Sequence, residues 1–470
     1  MSSSIRLVGD ALSFDDVIIL PGLSPVEPWQ VDLSSRASRR VELRIPLIAA
    51  PMDTVSEWRL GVALALLGGV AVIHRNMPVE EQLRHVEKVK NSPPAVLHPA
   101  SLSPLEDCCR AREQLRAWGL RDAPVVDEEG RVLGRARLVE LLGCSCGAPV
   151  SKHLTPPMVY DVASLEEARR AVLEGKTDAA AISAAGAYIG SLVVGEAMQS
   201  YSPVLDEEGR LRVAAAVSPF DTRRVEALDG VADILVSDVA HFHNVNVLSA
   251  AARLAPRLSS DFVAGNLGTR EGVVDTLSRV EKVDGLRMGI AGGNICTTSG
   301  VTGVASPTLH AVAEAVAALR ELGVDPADTP VIADGGIRGS GDAAKALAAG
   351  AYSVMAGYLL AGTEEAAAPI IRVGASLYKP YRGMASRGAL EKRYAADRYS
   401  RVAKKVEEGI EGLVPYRGPL RGVVEAFAEG LRAALGYAGA SSIPELWAKA
   451  RFARISSRIG AFTGTVKTSA

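Results

Sequence analysis

The sequence has almost no net charge and no long apolar run. Its 52 basic and 54 acidic residues give a formal net charge of −2, and no basic run could follow a phosphate backbone, so nucleic acid is not an expected partner. No apolar stretch reaches the length that a membrane span needs, so no membrane partner is expected either. Asp10, Asp15 and Asp16 interrupt the N-terminal stretch where a signal peptide requires apolar residues. These absences predict a cytoplasmic protein.

Cysteine is scarce, and its count is odd. Five cysteines in 470 residues do not indicate a disulfide framework. Two of them are the neighbours Cys108 and Cys109, and two more are Cys144 and Cys146. Neither pair has the two-residue spacer or the nearby histidines that zinc sites use. We therefore expect these four thiols to be buried or incidental, whereas Cys296 lies in a loop of a different kind.

Apolar strand patterns alternate with helical patterns in two parts of the chain. Residues 45–50 and 70–74 read IPLIAA and VAVIH on either side of a helical stretch, and the alternation resumes at residue 233. The later strand patterns read DILVSD, DFVAGN, GLRMGI, PVIADGG and YSVMAG. Such alternation is typical of an α/β protein with a parallel sheet and outer helices. Repeated this many times, it predicts a closed (β/α)₈ barrel, the TIM barrel.

A different pattern separates the two parts of the barrel. Between residues 95 and 201, the hairpin signal DEEG at 127–130 joins two strand patterns. The Gly-x₃-Gly spacing that starts at Gly130 recurs at Gly186 in a weaker echo. We interpret this as an internal duplication inserted into one barrel loop. The predicted domains are the N-terminal part of the barrel at 1–94, a tandem module with a degenerate second repeat at 95–201, and the rest of the barrel at 202–470.

In such barrels the residues just after the carboxyl end of each strand form the active site. This rule selects Met52–Asp53, Asp238, Asn266, residues 291–298, Asp334–Gly336 and Gly357. The loops after the seventh and eighth strands commonly hold a phosphate, because glycine lets backbone N–H groups approach an anion closely. The glycines that predict a phosphate site here are Gly335, Gly336, Gly339 and Gly357.

The loop at 289–307 reads GIAGGNICTTSGVTGVASP and carries a single cysteine, Cys296. A thiol among small residues at the end of a barrel strand can attack an electrophilic carbon. Thr298, two residues later, could donate or accept a proton. The loop alone leaves open the alternative that Cys296 is a small core residue.

The sequence resembles the IMP dehydrogenase / GMP reductase family. That family is marked by a Gly-rich loop that ends in Ser-Ile-Cys-x-Thr, and residues 294–298 here read NICTT. Further matching stretches follow in family order: LSFDDVIILPG, APMDTVSE, IHRNM, SDVAH, AGN, IADGGIRGSGDAAKALAAGA, YRGMASRGAL, DRYS, EEGIEG, VPYRGPL and ARFARIS. The 95–201 insertion is similar to a pair of cystathionine-β-synthase-type (CBS) domains, which often bind adenine or guanine nucleotides.

The resemblance implies a role for each matching residue. Cys296 would be the nucleophile that attacks the purine, with Thr298 beside it. The implied substrate-binding residues are Met52, Asn294, Asp334, Gly336, Gly357, Tyr358, Tyr381, Gly383, Met384 and Glu408. The implied cofactor-binding residues are Asp238, Asn266 and Gly289. Carbonyl oxygens of Ala291, Gly293 and Cys296 would ring potassium or a similar monovalent cation.

Residues 377–418 are polar and Gly-rich, with little periodicity, and a loop of this length is usually functional or mobile. The segment resembles the family's mobile flap. Its Arg398–Tyr399 pair would activate the water that completes the reaction. GMP reductases generally lack this pair, so the pair and the CBS-like insertion together favour the dehydrogenase.

Several departures from the family pattern fall on implied ligand positions. Asn294 and Tyr358 replace serines that normally touch phosphate. Val239 replaces a threonine, and Phe242 replaces a glycine on the cofactor side. Asn and Tyr can still donate hydrogen bonds to phosphate, so these departures are compatible either with compensation or with a paralogue of altered activity.

The expected function is the oxidation of IMP to XMP with NAD and water, through a covalent cysteine adduct. One alternative is reductive deamination of GMP with NADPH, and another is a nucleotide-binding paralogue with lost or altered activity. The resemblance also implies a homotetramer or a higher homo-oligomer.

Overall fold

A computed structural model describes residues 9–198, 202–293, 295–392, 394 and 408–455. Contacts between Cα atoms divide the chain into two compact units. The barrel unit contains the described residues up to Lys90 and from Arg212 onwards, and the inserted unit spans Asn91–Leu211. The predicted insertion, 95–201, lies inside the second unit.

Eight parallel strands close into a barrel, which confirms the predicted barrel. The barrel strands are β1 (Leu47–Ala49), β2 (Val70–Ile73), β3 (Ala214–Val217), β4 (Ile234–Ser237), β5 (Asp261–Leu267), β6 (Gly285–Met288), β7 (Val331–Asp334) and β8 (Ser353–Ala356). Neighbouring strands pair in this order around the barrel, and β8 pairs with β1. Almost all of their residues are buried, as expected for strands covered on both faces.

The sequence patterns identified every barrel strand except β3. This strand reads AAAV, and all four of its residues are buried. It pairs with β2 through Ala214 and Ala215 and with β4 along its whole length. Alanine is depleted in strands and carries no β-branched signal, so only the closure of the barrel, which is a tertiary property, reveals it.

A helix follows each barrel strand along the chain. These helices are Trp58–Leu66, Val79–Lys90, Thr222–Leu228, Val245–Leu254, Arg270–Arg279, Thr308–Leu322, Ser340–Ala348 and Leu420–Ala438. Side chains cap several of them: Asn244 accepts from the Asn246 N–H at 2.9 Å, and Thr269 accepts from the Gly272 N–H at 3.1 Å. Within the described part of the chain, no helix is long and apolar enough to cross a membrane.

The barrel unit also contains short strands and helices outside the eight-stranded barrel. Short antiparallel pairs are Val17–Ile19 with Phe452–Arg454 and Ser35–Arg36 with Glu42–Leu43; a three-stranded sheet consists of Ile371–Val373, Ser376–Arg382 and Glu411–Pro415. The remaining helices and 3₁₀ turns are Phe14–Asp16, Pro28–Gln30, Ala255–Arg257, Thr298–Thr302, Tyr358–Ala361, Arg387–Glu391 and Ile443–Lys449. The predicted flap, 377–418, thus begins in the three-stranded sheet and continues three residues past the end of strand Glu411–Pro415, while 393 and 395–407 lie outside the described residues.

The inserted unit repeats one order of elements. The first half contains helix Cys108–Trp118, the antiparallel pair Asp122–Val126 and Val132–Arg137, and the short helix Leu138–Leu141. The second half contains helix Leu165–Leu173, the pair Ala179–Ala184 and Ala187–Val193, and the short helix Val194–Ala197. Strands Leu154–Thr155 and Val159–Asp161 and the 3₁₀ turns Val150–His153 and Val162–Ser164 complete it. This order is what an internal duplication predicts.

The expectation of unpaired thiols in the insertion was wrong. Cys108 forms a disulfide with Cys144, and Cys109 forms one with Cys146. The partners are 36 and 37 residues apart in sequence, so their spacing gave no local signal. They meet because the start of helix Cys108–Trp118 packs beside the segment that follows Leu138–Leu141.

Candidate active site

A cavity opens at the carboxyl ends of the barrel strands. Its volume, including the solvent at its mouth, is about 990 Å³. The cavity brings together most of the residues selected from the sequence. They are Met52, Asn266, Gly289, Ala291, Gly293, Cys296, Thr298, Asp334, Gly336, Gly357, Tyr358, Tyr381, Gly383, Met384 and Glu408.

Described residues that the sequence selected but that do not line the cavity include Asp53, Asp238 and Gly339. Asn294, Arg398 and Tyr399 lie outside the described residues, so their roles stay predictions. Asp238 is fully buried at the end of β4. Its carboxylate lies between two arginines, 3.4 Å from Arg75 Nε and 3.3 Å from Arg287 Nη1.

Cys296 begins a chain of three polar side chains. Its sulfur lies 3.2 Å from Thr298 Oγ1, and that hydroxyl donates to Glu408 Oε2 at 2.8 Å. Backbone hydrogen bonds hold the two segments together, since Thr297 N donates to the Glu408 carbonyl at 3.0 Å. Glu408 is 3% exposed, so a proton can pass from the thiol to a carboxylate that bulk water does not reach freely.

Asp334 ends β7 and carries its carboxylate into the site. Arg287 Nε and Asn266 Nδ2 both donate to Asp334 Oδ2, each at 2.8 Å. Both bonds use Oδ2, and no donor among the described residues bonds to Oδ1, which can therefore accept from a ligand hydroxyl. Asp334 therefore has the arrangement needed to accept hydrogen bonds from a diol.

Sequence reasoning missed Arg287, which lies in β6. The strand reads GLRM and is buried throughout, with Arg287 itself 3% exposed. Its guanidinium contacts Asp334 at one end and Asp238 at the other. A charged residue in the middle of an apolar strand was the available signal, since buried charges must be paired.

The glycines of the β7 and β8 loops allow a close approach of backbone to ligand. Gly336 has φ +75°, a conformation that side chains disfavour. A Cβ atom on Gly357 would lie 2.4 Å from Met52 Sδ and 3.0 Å from Tyr381 Oη, so a larger residue there would require Met52 to move. Burial raises the pKa of Tyr381, and nearby Asp334 and Tyr358 raise it further, so its hydroxyl stays protonated and can donate to an anion.

Tyr358 lines the cavity beside these glycines. The centre of its ring lies 6.0 Å from that of Tyr381. The guanidinium of Arg417 lies over the Tyr358 ring, and Arg417 Nη1 also donates to the Leu359 carbonyl at 3.1 Å. The departure from serine at this position is therefore matched by an arginine that sequence reasoning did not select.

The Phe242 side chain does not line the cavity. Its side chain is fully buried, and its ring centre lies 6.4 Å from that of Phe262. The Phe242 N–H donates to the Asn266 carbonyl at 2.9 Å. The ring therefore packs in the core and anchors the loop, whereas Ala240 is the residue of this loop that lines the cavity. Val239 is buried as well.

The carbonyl oxygens proposed for a monovalent cation belong to one tight loop. Ala291 has φ +64°, a strained value for a residue with a side chain. The Gly293 carbonyl already accepts a hydrogen bond from the Cys296 N–H at 3.0 Å. A carbonyl oxygen has two lone pairs, and this hydrogen bond uses one of them on the Gly293 oxygen. The second lone pair could still bind a cation.

A second polar cluster supports one wall of the site. Arg382 lies next to Tyr381 in strand Ser376–Arg382, and its Nε donates to Asp53 Oδ1 at 3.0 Å. Asn76 Nδ2 donates to Asp53 Oδ2 at 2.9 Å. Asp53 follows Met52 in the loop after β1, so these bonds tie that loop to the strand that carries Tyr381.

Comparisons with known proteins agree with this arrangement. The IMP dehydrogenase / GMP reductase domain matches residues 11–462. An inosine-5′-monophosphate dehydrogenase from Korarchaeum cryptofilum is 43% identical, over 95% of this chain and 94% of its own. One from Aquifex aeolicus is 40% identical, over 96% and 94%.

A solved structure extends the likeness to three dimensions. A GMP reductase from Trypanosoma brucei, in complex with guanosine 5′-monophosphate, has a TM-score of 0.72 and 33% identity. The match covers 98% of this chain and 99% of that one. With its closed barrel, its cysteine loop and these matches over nearly the whole length, the chain belongs to the IMP dehydrogenase / GMP reductase family of oxidoreductases.

Proposed function

We propose that this protein oxidises IMP to XMP with NAD and water, through a covalent adduct on Cys296. The observation that carries the proposal is the chain from Cys296 through Thr298 to Glu408, inside a cavity that also holds Asp334. A nucleophile needs a neighbouring group that takes its proton, and a ribose needs an acceptor at the correct end of the site. The dehydrogenases that resemble the chain at 43% and 40% identity support this assignment.

IMP would bind along the cavity by three kinds of contact. Backbone N–H groups around Gly336 and Gly357, with the Tyr358 and Tyr381 hydroxyls, would hold the phosphate. Asp334 would accept from the ribose hydroxyls. The purine would then lie against Met52, Gly383 and Met384, and its C2 carbon would be near the Cys296 sulfur.

The thiol proton has a short route to a carboxylate. As sulfur bonds to C2, Thr298 would accept the Cys296 proton and pass its own to Glu408, over the 3.2 Å and 2.8 Å separations in the structure. NAD, held by Asn266 and Gly289, would supply the acceptor for the C2 hydride, and a thioimidate would remain on Cys296. Water then adds to C2, with Arg398–Tyr399 as the proposed activating pair, and the thiol leaves to give XMP.

The remaining parts of the assignment are proposals of the same kind. Asn266 and Gly289 line the cavity and would contact the nicotinamide riboside. Asp238 would join them only if its ion pairs with Arg75 and Arg287 opened. Potassium at the 291–296 loop, an adenine or guanine nucleotide at a CBS-like insertion, a homotetramer and a cytoplasmic location also stay predictions.

Reductive deamination of GMP is a second candidate function, with specific support. The CBS-like insertion was expected to favour the dehydrogenase. However, the match to the Trypanosoma brucei GMP reductase covers 98% of this chain. Possession of the insertion therefore does not distinguish a dehydrogenase from a GMP reductase. The Arg398–Tyr399 pair is the sequence feature that still favours the dehydrogenase.

A direct assay separates the two functions. Purified protein is incubated with IMP and NAD in one series and with GMP and NADPH in the other, and absorbance at the wavelength of the reduced nicotinamide is followed. Dehydrogenation forms NADH and XMP in equal amounts, whereas reductive deamination consumes NADPH and releases ammonia. NADPH consumption with GMP and no NADH from IMP would replace the first proposal by the second.

A further inference from the structure

Two disulfides join the same two segments of the inserted unit, but their surroundings differ. Cys108 is fully buried and Cys144 is 6% exposed, and both belong to an apolar cluster that includes Leu115. Cys109 is half-buried, and Cys146 is exposed. A reductant in solution can therefore reach the Cys109–Cys146 bond while the Cys108–Cys144 bond is shielded.

A cation lies beside the exposed disulfide. Arg112 follows Cys109 by three residues in helix Cys108–Trp118, so both side chains lie on one face. Its Nη2 contacts the Cys109 sulfur and lies 3.8 Å from the Cys146 sulfur. Its Nη1 is held by the Leu141 carbonyl at 3.2 Å. A guanidinium in this position stabilises a thiolate, and a stabilised reduced form makes a disulfide easier to reduce.

Other contacts would keep the two segments together after reduction. Asp107 Oδ1 accepts from the Cys109 N–H at 2.8 Å and from the Arg110 N–H at 3.2 Å. Asp107 Oδ2 accepts from the Gly147 N–H. These contacts and the buried Cys108–Cys144 bond do not depend on the outer disulfide, so opening it exposes thiols without unfolding the unit. Arg112 is the cation that contacts the Cys109 sulfur.

We propose that Cys109–Cys146 is a redox-reactive modification site that a dithiol reductant opens selectively. One thiolate of the reductant attacks the exposed Cys146 sulfur, the S–S bond breaks, and Cys109 leaves as a thiolate beside Arg112. The second thiol of the reductant then displaces Cys146 from the mixed disulfide. The reductant loses two electrons and becomes a disulfide, and the two cysteines gain those electrons.

The test uses the full-length protein in mixtures of oxidised and reduced dithiothreitol. Free thiols are alkylated at equilibrium and located by peptide mass spectrometry, with Cys296 as an internal reference. We expect Cys109 and Cys146 to be alkylated under conditions that leave Cys108 and Cys144 protected. Arg112→Gln should make reduction of the outer bond about tenfold less favourable, or about 30 mV.

Arg110→Gln is the matched control, because Arg110 is on the same helix but pairs with Glu106 at 3.1 Å. Arg110→Gln should leave the midpoint potential of the Cys109–Cys146 disulfide unchanged. The proposal would be overturned if both variants shifted this potential equally or if the two disulfides opened together. Five free thiols in the air-oxidised protein would overturn it as well. Zinc bound by Cys108, Cys144 and His153, whose ligand atoms lie within 4.8 Å of one another, would also overturn it. In that case Cys108 and Cys144 would be thiolate ligands and not the shielded inner disulfide.

Discussion

The guanidinium carbon of Arg417 lies 5.1 Å from the centre of the Tyr358 ring. A cation over an aromatic face contributes about 0.5–1 kcal/mol at an exposed site. This contact and the neighbouring Tyr381 ring fix the position of Tyr358 at the wall of the cavity. In the proposed binding mode, the Tyr358 hydroxyl donates to the phosphate at a position where the resemblance implies a serine.

We therefore predict that Tyr358→Phe weakens IMP binding by roughly 1–3 kcal/mol, because it removes one donor to phosphate and keeps the ring. Binding of inosine, which has no phosphate, should not change. Calorimetric titration of both ligands into both proteins measures the effect. If Tyr358→Ser instead binds IMP better than the wild type, the ring fills the phosphate pocket and the interpretation of Tyr358 as a donor is wrong.

The second prediction concerns Asp334 and the ribose. Asp334→Asn and the use of 2′-deoxy-IMP should each lower affinity by roughly 1–3 kcal/mol, because each removes part of the same hydrogen bond. When Asp334→Asn is titrated with 2′-deoxy-IMP, the loss of binding free energy should be clearly smaller than the sum of the two separate losses. Titration of both proteins with both nucleotides gives the coupling energy. Losses that simply add would show that Asp334 does not contact that hydroxyl.

The third prediction follows from the pKa of Asp53. Burial raises the pKa of Asp53, but the hydrogen bond and charge of Arg382 and the hydrogen bond from Asn76 lower it by more, so its net pKa is below the usual value. Asp53→Asn should reduce the free energy of unfolding by about 3 kcal/mol, since it leaves Arg382 without its carboxylate.

The pH dependence of this effect has a definite sign. A carboxylate with a lowered folded pKa stabilises the fold above its unfolded pKa, about 3.9, and loses that contribution as pH falls through the folded value. Urea unfolding of wild type and Asp53→Asn should therefore converge below about pH 4. A difference that is unchanged under acid would mean that the Asp53–Arg382 pair is not its source.

The fourth prediction concerns the insertion. Lys90 Nζ and Arg212 Nη1 contact the same carboxylate oxygen of Asp233, at 2.8 Å and 3.1 Å, so the two ends of the inserted unit lie close together. Replacing Asn91–Leu211 by a short Gly-Ser linker should leave a folded barrel. Far-ultraviolet circular dichroism and a cooperative thermal transition check this. A truncated protein without such a transition would refute the independence of the two units.

Local sequence patterns predicted the barrel because most of its strands are apolar and β-branched, and they placed the site because barrel strands end at one face. They failed where a feature depends on residues distant in sequence. β3 is made mainly of alanine, and the disulfides join cysteines 36 and 37 residues apart. Neither has a local signal.

The sequence also failed to predict where some side chains point. The resemblance implied that Phe242 lies on the cofactor side, but the sequence did not indicate that its ring packs in the core against Phe262. Arg287 was missed for the opposite reason. Its strand looks like core, and only the positions of Asp238 and Asp334 reveal why a guanidinium is buried there.

The central claim is that Cys296 performs covalent chemistry on IMP, and the most direct measurement is NADH formation by wild type and Cys296→Ala with IMP and NAD. The wild type should form NADH and XMP in equal amounts. Cys296→Ala should form none while its calorimetric affinity for IMP stays close to that of the wild type, because the sulfur supplies the reaction and not the binding. NADH formation by Cys296→Ala at the wild-type rate would contradict the account.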